Sequence, residues 1–183
     1  MHLKSKILLI LILFGTFNSH SQDIYQVTKG HVEFNSDAPL EMIEASCETM
    51  QGALKIEDRT FAFRTPMNKF EGFNSALQKT HFNANYLETA KYPFTIFEGK
   101  IIEEVDFYTP GTYNVRGKGR FTCHGIVQER IIKCRIVVKP GSVKVTAEFS
   151  VLLDDHNIKI PSVVNQRIAE EIVVLIDIDL KKK

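Results

Sequence analysis

The side chains best suited to acid–base or metal chemistry at neutral pH are the four histidines of residues 22–183: His31, His81, His124 and His156. His31 and Glu33 would share one face of a strand, but no third ligand can be named beside them, so a metal site is not expected. His156 follows two aspartates in a segment typical of a solvated turn. An enzyme that uses His81 or His156 as an acid or base is therefore an alternative hypothesis and not the main one.

Sequence motifs for catalysis or phosphate binding are missing from the chain, which has no Cys-x-x-Cys, His-Glu-x-x-His or Gly-x-Ser-x-Gly. The triplet Gly117-Lys118-Gly119 lies inside a strand pattern and lacks the spacing of a phosphate-binding loop. The basic stripe Arg116, Lys118 and Arg120 fits the solvated face of the same strand. The chain has a formal net charge of only +1, so nucleic acid is not an expected partner. We predict no catalytic residue, no metal ligand and no cofactor.

Aromatic side chains are abundant, with 13 phenylalanines and 5 tyrosines but no tryptophan. They could form an ordinary packed core, or part of this apolar surface could line a cavity for an apolar ligand. The residues alone do not separate these two possibilities. The densest group consists of Phe61, Phe63, Phe70, Phe73, Phe82, Tyr86, Tyr92, Phe94 and Phe97.

Strands dominate the elements that would position these residues, because apolar and polar residues alternate with period two. The clearest strands are 113–123, 143–151 and 172–180. In strand 172–180 the first half is apolar on both sides, which predicts that both faces of this half are covered by other parts of the chain. Helical spacing is limited to 70–77 and to a short segment within 161–170. Weaker strands are predicted at 25–35, 42–50, 53–57, 60–65, 94–103 and 128–138.

The length of strand 113–123 helps to choose between a sandwich and a barrel. It would span about 37 Å, which suits a tilted barrel wall better than a small sandwich. Gly117 and Gly119 on its inner face fit a curved wall and leave open volume inside. We therefore predict an all-β fold: an antiparallel up-and-down, lipocalin-like barrel of about eight strands with a short helical insertion. A barrel of this size is either filled by side chains or holds one small ligand.

The N-terminus, residues 1–21, is typical of a cleaved secretory signal peptide. Lys4 and Lys6 precede an apolar run at 7–14, and small residues precede a cut before Gln22. The run is too short to span a bilayer, and no later segment is long and apolar enough, so no stable membrane insertion is expected. We predict one barrel domain over 22–183, in a periplasmic or secreted location.

The cysteines are Cys47, Cys123 and Cys134, an odd number for an oxidising compartment. If a hairpin turn is centred near 125–127, Cys123 and Cys134 lie roughly 13 Å apart along their strands, too far for a disulfide. We expect both to be buried thiols that pack as small apolar residues.

Two segments resemble the signature of the YceI-like family. The first, 79–99, contains the pair His81-Phe82 and a Tyr92-Pro93 step before a strand, although many members have an arginine and a His-Leu pair where this chain has Lys79-Thr80-His81-Phe82. The second, 119–127, contains Phe121 and the sequence Cys123-His124-Gly125. The resemblance implies a lipocalin-like barrel, usually periplasmic, that encloses a long isoprenoid or similar lipid. Family members also tend to pair as dimers, so a homodimer is expected.

The predicted function is a periplasmic binding protein that holds an apolar chain inside the barrel and catalyses no reaction. The alternatives are an enzyme acting on a bound apolar substrate and a non-catalytic accessory module of an envelope complex. The expected partner is an apolar small molecule, and a bound lipid takes the place of a cofactor. The predicted ligand-binding residues are Phe63, Phe82, Tyr92, Phe94, Tyr113, Val115, Gly117, Gly119, Phe121, Val145, Phe149, Val174 and Ile176.

Overall fold

The structure is a computed structural model that describes residues 23–183. The predicted signal peptide, residues 1–21, lies outside the described residues. The strands are β1 Ile24–Ala38, β2 Glu41–Cys47, β3 Gln51–Lys55, β4 Thr60–Pro66, β5 Phe94–Ile101, β6 Gly111–Cys123, β7 Ile126–Lys139, β8 Ser142–Leu152 and β9 Glu171–Lys182. The helix α1 spans Ala76–His81 and continues into a π-helical turn at Phe82–Tyr86. Short 3₁₀ turns lie at Met67–Lys69, Asp154–His156 and Ser162–Val164.

The strands form one antiparallel sheet that closes on itself. Their order is β2-β1-β3-β4-β5-β6-β7-β8-β9, and β1 also pairs with β9 along ten residues. Both β2 and β3 pair with the same edge of β1, so eight strands form the ring and β2 is the extra one. The predicted all-β fold, a closed antiparallel barrel with a short helical insertion, is confirmed.

Alternation along β6 shows why this segment becomes a barrel wall. Val115, Gly117, Phe121 and Cys123 point inward and are buried, while the charged residues between them are exposed. Gly119 is needed where β5 approaches closely, because a Cβ there would overlap the Glu98 carbonyl oxygen. The outward basic stripe is solvated, and two of its members form ion pairs: Arg116 with Glu103 and Arg120 with Glu98.

The β6–β7 hairpin turns on two residues, His124 and Gly125, with φ of 50° and 74°. Two positive φ values are typical of a type I′ turn. This turn is tighter than predicted, so Cys134 pairs with Val115 while Cys123 pairs with Ile126. The two cysteines are therefore about 27 Å apart along the hairpin, further than expected. All three thiols are free, and for Cys123 and Cys134 this was predicted. Both were also expected to be buried, but Cys134 is only half-buried.

The helical insertion is displaced from its predicted position. The helix begins at Ala76, where Ser75 accepts a hydrogen bond from the Gln78 backbone nitrogen at 3.1 Å, and not at Phe70. The helix predicted within 161–170 is wrong, because only a 3₁₀ turn forms there.

Beyond the bonds of its 3₁₀ turn, the backbone of the 161–170 segment bonds to the β1–β2 hairpin. Leu40 donates to the Gln166 carbonyl and Ala169 donates to the Ser36 hydroxyl, each at 2.9 Å. Among the helices of residues 23–183, none has the length and apolar character needed to cross a membrane.

Two clusters of buried side chains fill the two ends of the barrel. The closed-end cluster includes Tyr25, Leu54, Phe107, Val115 and Leu180. The second cluster, at the end of the barrel where the insertion lies, packs the insertion onto the wall and includes Val32, Cys47, Met67, Phe70, Leu87, Phe121, Cys123 and Ile158. The first half of β9, predicted to be covered on both faces, has the outward residues Val173 and Leu175 half-buried.

Candidate functional site

A cavity of about 450 Å³ lies inside the barrel between the closed-end cluster and the insertion. Leu77 and His81 of α1 line the cavity and are also exposed, so the cavity reaches the surface at the insertion. We call this opening the mouth. The volume falls within the range of pockets that enclose small molecules.

The lower wall of the cavity is aromatic and comes from neighbouring strands. Phe61 lies 5.7 Å from Phe63 and 4.9 Å from Phe97, centroid to centroid. A Cβ added to Gly117 would lie 3.2 Å from the Phe61 ring. The missing side chain of Gly117 therefore lets the Phe61 and Phe97 rings pack close to the β6 backbone at this point of the wall.

The upper wall is a second aromatic group, which joins β1 to the insertion. Phe34 of β1 stacks on Phe82 at 5.4 Å with 8° between the ring planes, and it also contacts Phe70 and Phe73. Phe73 and Phe82 are 5.0 Å apart. Each such pair is worth about 0.5–1.5 kcal/mol beyond burial, so the insertion is held over the barrel by ring contacts.

Polar side chains collect at the mouth around Glu41. The Gln78 side chain donates to the Glu41 carboxylate at 3.0 Å, and Arg167 lies 3.8 Å from its other oxygen. Ser75 and His81 line the same opening. The site is thus an apolar interior with a polar collar, which suits a molecule with an apolar tail.

Eight of the thirteen predicted ligand-binding residues line this cavity. The structure brings together Phe63, Phe82, Gly117, Phe121, Val145, Phe149, Val174 and Ile176. Tyr92, Phe94, Tyr113, Val115 and Gly119 are not among its lining residues.

Tyr92 and Phe94 lie away from the cavity because of strand alternation and the position of the hairpin. The Tyr92 ring meets the His124 ring edge-on at 4.7 Å and covers Gly125. Phe94 lies under the Arg64 guanidinium, 4.8 Å from the ring centroid, and the inward residues of its strand begin with the next one.

Tyr113, Val115 and Gly119 lie on the predicted inward face. Tyr113 and Val115 lie nearer the closed end than the cavity does, whereas Gly119 lies at the level of the cavity, between the lining residues Gly117 and Phe121. Tyr113 and Val115 pack in the closed-end cluster. Gly119 is pressed against β5, where an added Cβ would lie 2.8 Å from the Gly99 Cα. Alternation gives the face of a residue, whereas its depth in the barrel depends on the register of both neighbours.

His156 is fully buried, so the predicted solvated turn is wrong for this residue. Its Nδ1 donates to the Cys123 carbonyl at 3.2 Å, and its ring meets Phe121 edge-on at 5.4 Å. Nε2 has no hydrogen-bond partner. Loss of hydration on burial lowers the pKa of His156 below its usual 6.5. The ring lies behind the wall and is not among the lining residues.

His124 links the insertion to the β6–β7 hairpin and is not a group free for catalysis. Its Nε2 lies 2.7 Å from the Glu88 carboxylate, and its Nδ1 donates to the His156 carbonyl at 2.9 Å. The two hydrogen bonds fasten three segments of the mouth end: the hairpin, the insertion and the turn after β8.

His31 lies between two carboxylates, Glu48 at 2.5 Å from Nδ1 and Glu33 at 3.6 Å from Nε2. Its two nitrogens face different acids, which is not the geometry of a shared metal ion. Over residues 23–183, no group of three His, Cys, Asp or Glu side chains is placed to hold a metal.

Two thiols, Cys123 and Cys134, line the cavity, which the sequence did not reveal. Burial raises the pKa of both thiols, that of Cys134 to about 11. They are therefore protonated at neutral pH and are poor nucleophiles. Phe34 was also missed, although its alternation with Val32 placed it on the inward face of β1.

Residues 19–180 match the sequence profile of the YceI-like domain. No curated protein matches the chain.

Several solved structures share the fold at low identity. A polyisoprenoid-binding domain from Saccharophagus degradans, implicated in plant cell wall breakdown, is 11% identical with a TM-score of 0.75, covering 88% of this chain and 99% of that one. BcnA from Burkholderia cenocepacia is 12% identical with a TM-score of 0.67, covering 82% and 95%. A YceI protein from Campylobacter jejuni is 12% identical with a TM-score of 0.60, covering 77% and 85%.

Proposed function

This chain belongs to the YceI-like family, and we propose that it is a periplasmic or secreted protein that holds an apolar chain, such as an isoprenoid, inside its barrel. The observation that carries the proposal is the apolar cavity of about 450 Å³ with its mouth at the insertion. The signal-peptide pattern of residues 1–21 supports the location.

We propose binding without catalysis because of where the reactive groups lie. His156 is not a lining residue, His124 is engaged by Glu88, and the thiols of Cys123 and Cys134 are held in their protonated form. His81 does line the cavity, but at its exposed mouth rather than in its apolar interior. The hypothesis of a packed accessory barrel is less well supported, because such a barrel would have its interior filled by side chains.

The test is a cavity-filling substitution, Gly117→Leu, compared with Lys118→Leu on the outer face of the same strand. A leucine at 117 projects toward Phe61 and Phe97 and occupies the space that the ligand would use. We expect Gly117→Leu to weaken binding of dansyl-labelled farnesol at least tenfold, measured by fluorescence titration, while Lys118→Leu binds as the wild type does. Circular dichroism checks that both variants fold.

Equal affinity for all three proteins would contradict the proposal, as would wild-type protein that shows no saturable binding. If Gly117→Leu fails to fold, Gly117→Ala replaces it with a smaller expected loss of affinity, because a single Cβ at this position meets the Phe61 and Phe97 rings, at 3.2 and 3.5 Å, and reaches no further into the cavity.

A further inference from the structure

Three segments that surround the mouth each expose a large apolar side chain. Leu40 in the β1–β2 turn is 65% exposed, Leu77 in α1 is 63% exposed, and Val163 in the 3₁₀ turn at Ser162–Val164 is 87% exposed. We call these three residues the apolar rim. Exposed apolar side chains are common singly, but a group around one opening indicates a contact surface.

Hydrogen bonds hold the rim segments together. Leu40 donates its backbone N–H to Gln166, two residues beyond the 3₁₀ turn. The next residue, Glu41, accepts from Gln78 of α1 and lies beside Arg167. The three apolar side chains are therefore carried by segments that are tied to one another at the same opening.

The rim is continuous with the interior of the barrel. Leu77 both belongs to the rim and lines the cavity, and Val164, next to Val163, lines it as well. Apolar surface thus reaches from the cavity to the outside through Leu77 and Val164, beside the polar collar around Glu41. A water-insoluble chain that enters or leaves the cavity has to cross the rim.

We propose that the apolar rim docks onto the surface of a lipid bilayer, so that the cavity exchanges its ligand with the membrane. This inference rests on the proposed function and adds the place where the ligand is collected. Contact between rim and acyl region would remove apolar side chains from water and shield the ligand during transfer.

Two pairs of opposite charges lie at the mouth and bear on the kind of membrane contact. Glu41 lies beside Arg167, and Lys79 of α1 is paired with Glu71. With the charges balanced in this way, attachment depends on apolar burial more than on attraction to anionic lipid. We therefore expect vesicle binding to change less than twofold between 50 and 300 mM salt.

The experiment compares wild type with the double variant Leu40→Asp/Val163→Asp and a control, Tyr108→Asp. Tyr108 is 76% exposed and follows Phe107 of the closed-end cluster, away from the mouth. Vesicles are made of phosphatidylethanolamine and phosphatidylglycerol and are loaded with dansyl-labelled farnesol. Two quantities are measured: the fraction of protein that floats with vesicles, and the rate of probe transfer to the protein.

For the double variant we expect at least a fivefold loss of flotation and of transfer rate, while Tyr108→Asp behaves as the wild type. Probe added from ethanol solution, without vesicles, should bind wild type and double variant equally. This measurement without vesicles separates the two proposals. If the wild type does not bind the probe in solution, the proposed function itself is overturned.

The docking proposal is overturned if all three proteins float and take up vesicle-borne probe equally, or if wild type binds the probe in solution but never associates with vesicles. It is also overturned if sedimentation shows that the rim joins two copies of the chain and that the aspartates only dissociate this dimer.

Discussion

The buried ring of His156 makes the stability of the barrel sensitive to mild acid. The neutral ring uses Nδ1 to donate to Cys123, which leaves the proton-accepting Nε2 buried without a partner. Protonation would place a positive charge on this nitrogen inside the protein, where Asp155, Arg130 and His124 are the nearest titratable or charged neighbours. Burial is the dominant influence, and it lowers the pKa of His156.

The direction of the pH effect on stability follows from the number of protons that the ring binds in the folded and in the unfolded chain. Above a pH of about 6.5 the ring is neutral in both the folded and the unfolded chain, so its contribution to stability is fully present. Below that pH the unfolded chain binds a proton that the folded chain does not. The free energy of unfolding then falls by about 1.4 kcal/mol per pH unit, until the pH reaches the lower pKa of the folded state.

The perturbation is His156→Phe, which keeps an aromatic ring against Phe121 and removes the titrating nitrogen. At pH 7.5 we expect the free energy of unfolding to lie within about 1 kcal/mol of wild type, because one hydrogen bond is lost while an unsatisfied buried nitrogen is also removed. Between pH 7.5 and 5.5 the wild type should lose more stability than the variant, with a slope difference approaching 1.4 kcal/mol per pH unit.

The assay is urea unfolding followed by circular dichroism at both pH values, since the chain has no tryptophan. Comparison of the two proteins cancels the contributions of all groups that both retain. If the larger ring prevents folding, His156→Gln provides a non-titrating side chain of similar polarity. Parallel losses of stability in wild type and variant would refute the reasoning.

Two further predictions concern residues of the barrel wall, one a substitution and the other a labelling reaction. Gly119→Ala should abolish soluble expression or lower the melting temperature by more than 10 °C, because the Cβ of the alanine would overlap the Glu98 carbonyl oxygen. A melting curve like that of the wild type would contradict the close approach of β5 and β6. Cys134 should react with iodoacetamide at pH 8 about 100-fold more slowly than an ordinary thiol, because its pKa of about 11 leaves little thiolate. Mass spectrometry of the labelled peptide measures the rate. Rapid labelling of Cys134 in the folded protein would contradict the prediction.

Much of the barrel could be predicted from sequence because strand alternation is a local property. The pattern at 113–123 gave the inward and outward faces of β6, and Gly117 was placed on the cavity wall by the same reasoning. Family resemblance supplied the expectation of a ligand chain, which alternation alone could not provide. The predicted homodimer stays a prediction.

What could not be predicted depends on contacts between distant segments. His156 looked solvated beside two aspartates, but the hairpin at His124 covers it, and the sequence does not encode that proximity locally. Tyr92 belonged to a dense aromatic group, yet its ring covers Gly125 and not the cavity. The segment 161–170 had helical spacing, but hydrogen bonds to the β1–β2 hairpin draw it into a different path.

The most direct test of a hollow, lipid-holding barrel is native mass spectrometry of the protein purified without detergent from its native host. We expect a population heavier than the bare chain, with an added mass that organic extraction releases as an isoprenoid or similar apolar chain. A single species at the mass of the bare chain, together with extracts that contain only buffer components, would contradict the proposed function.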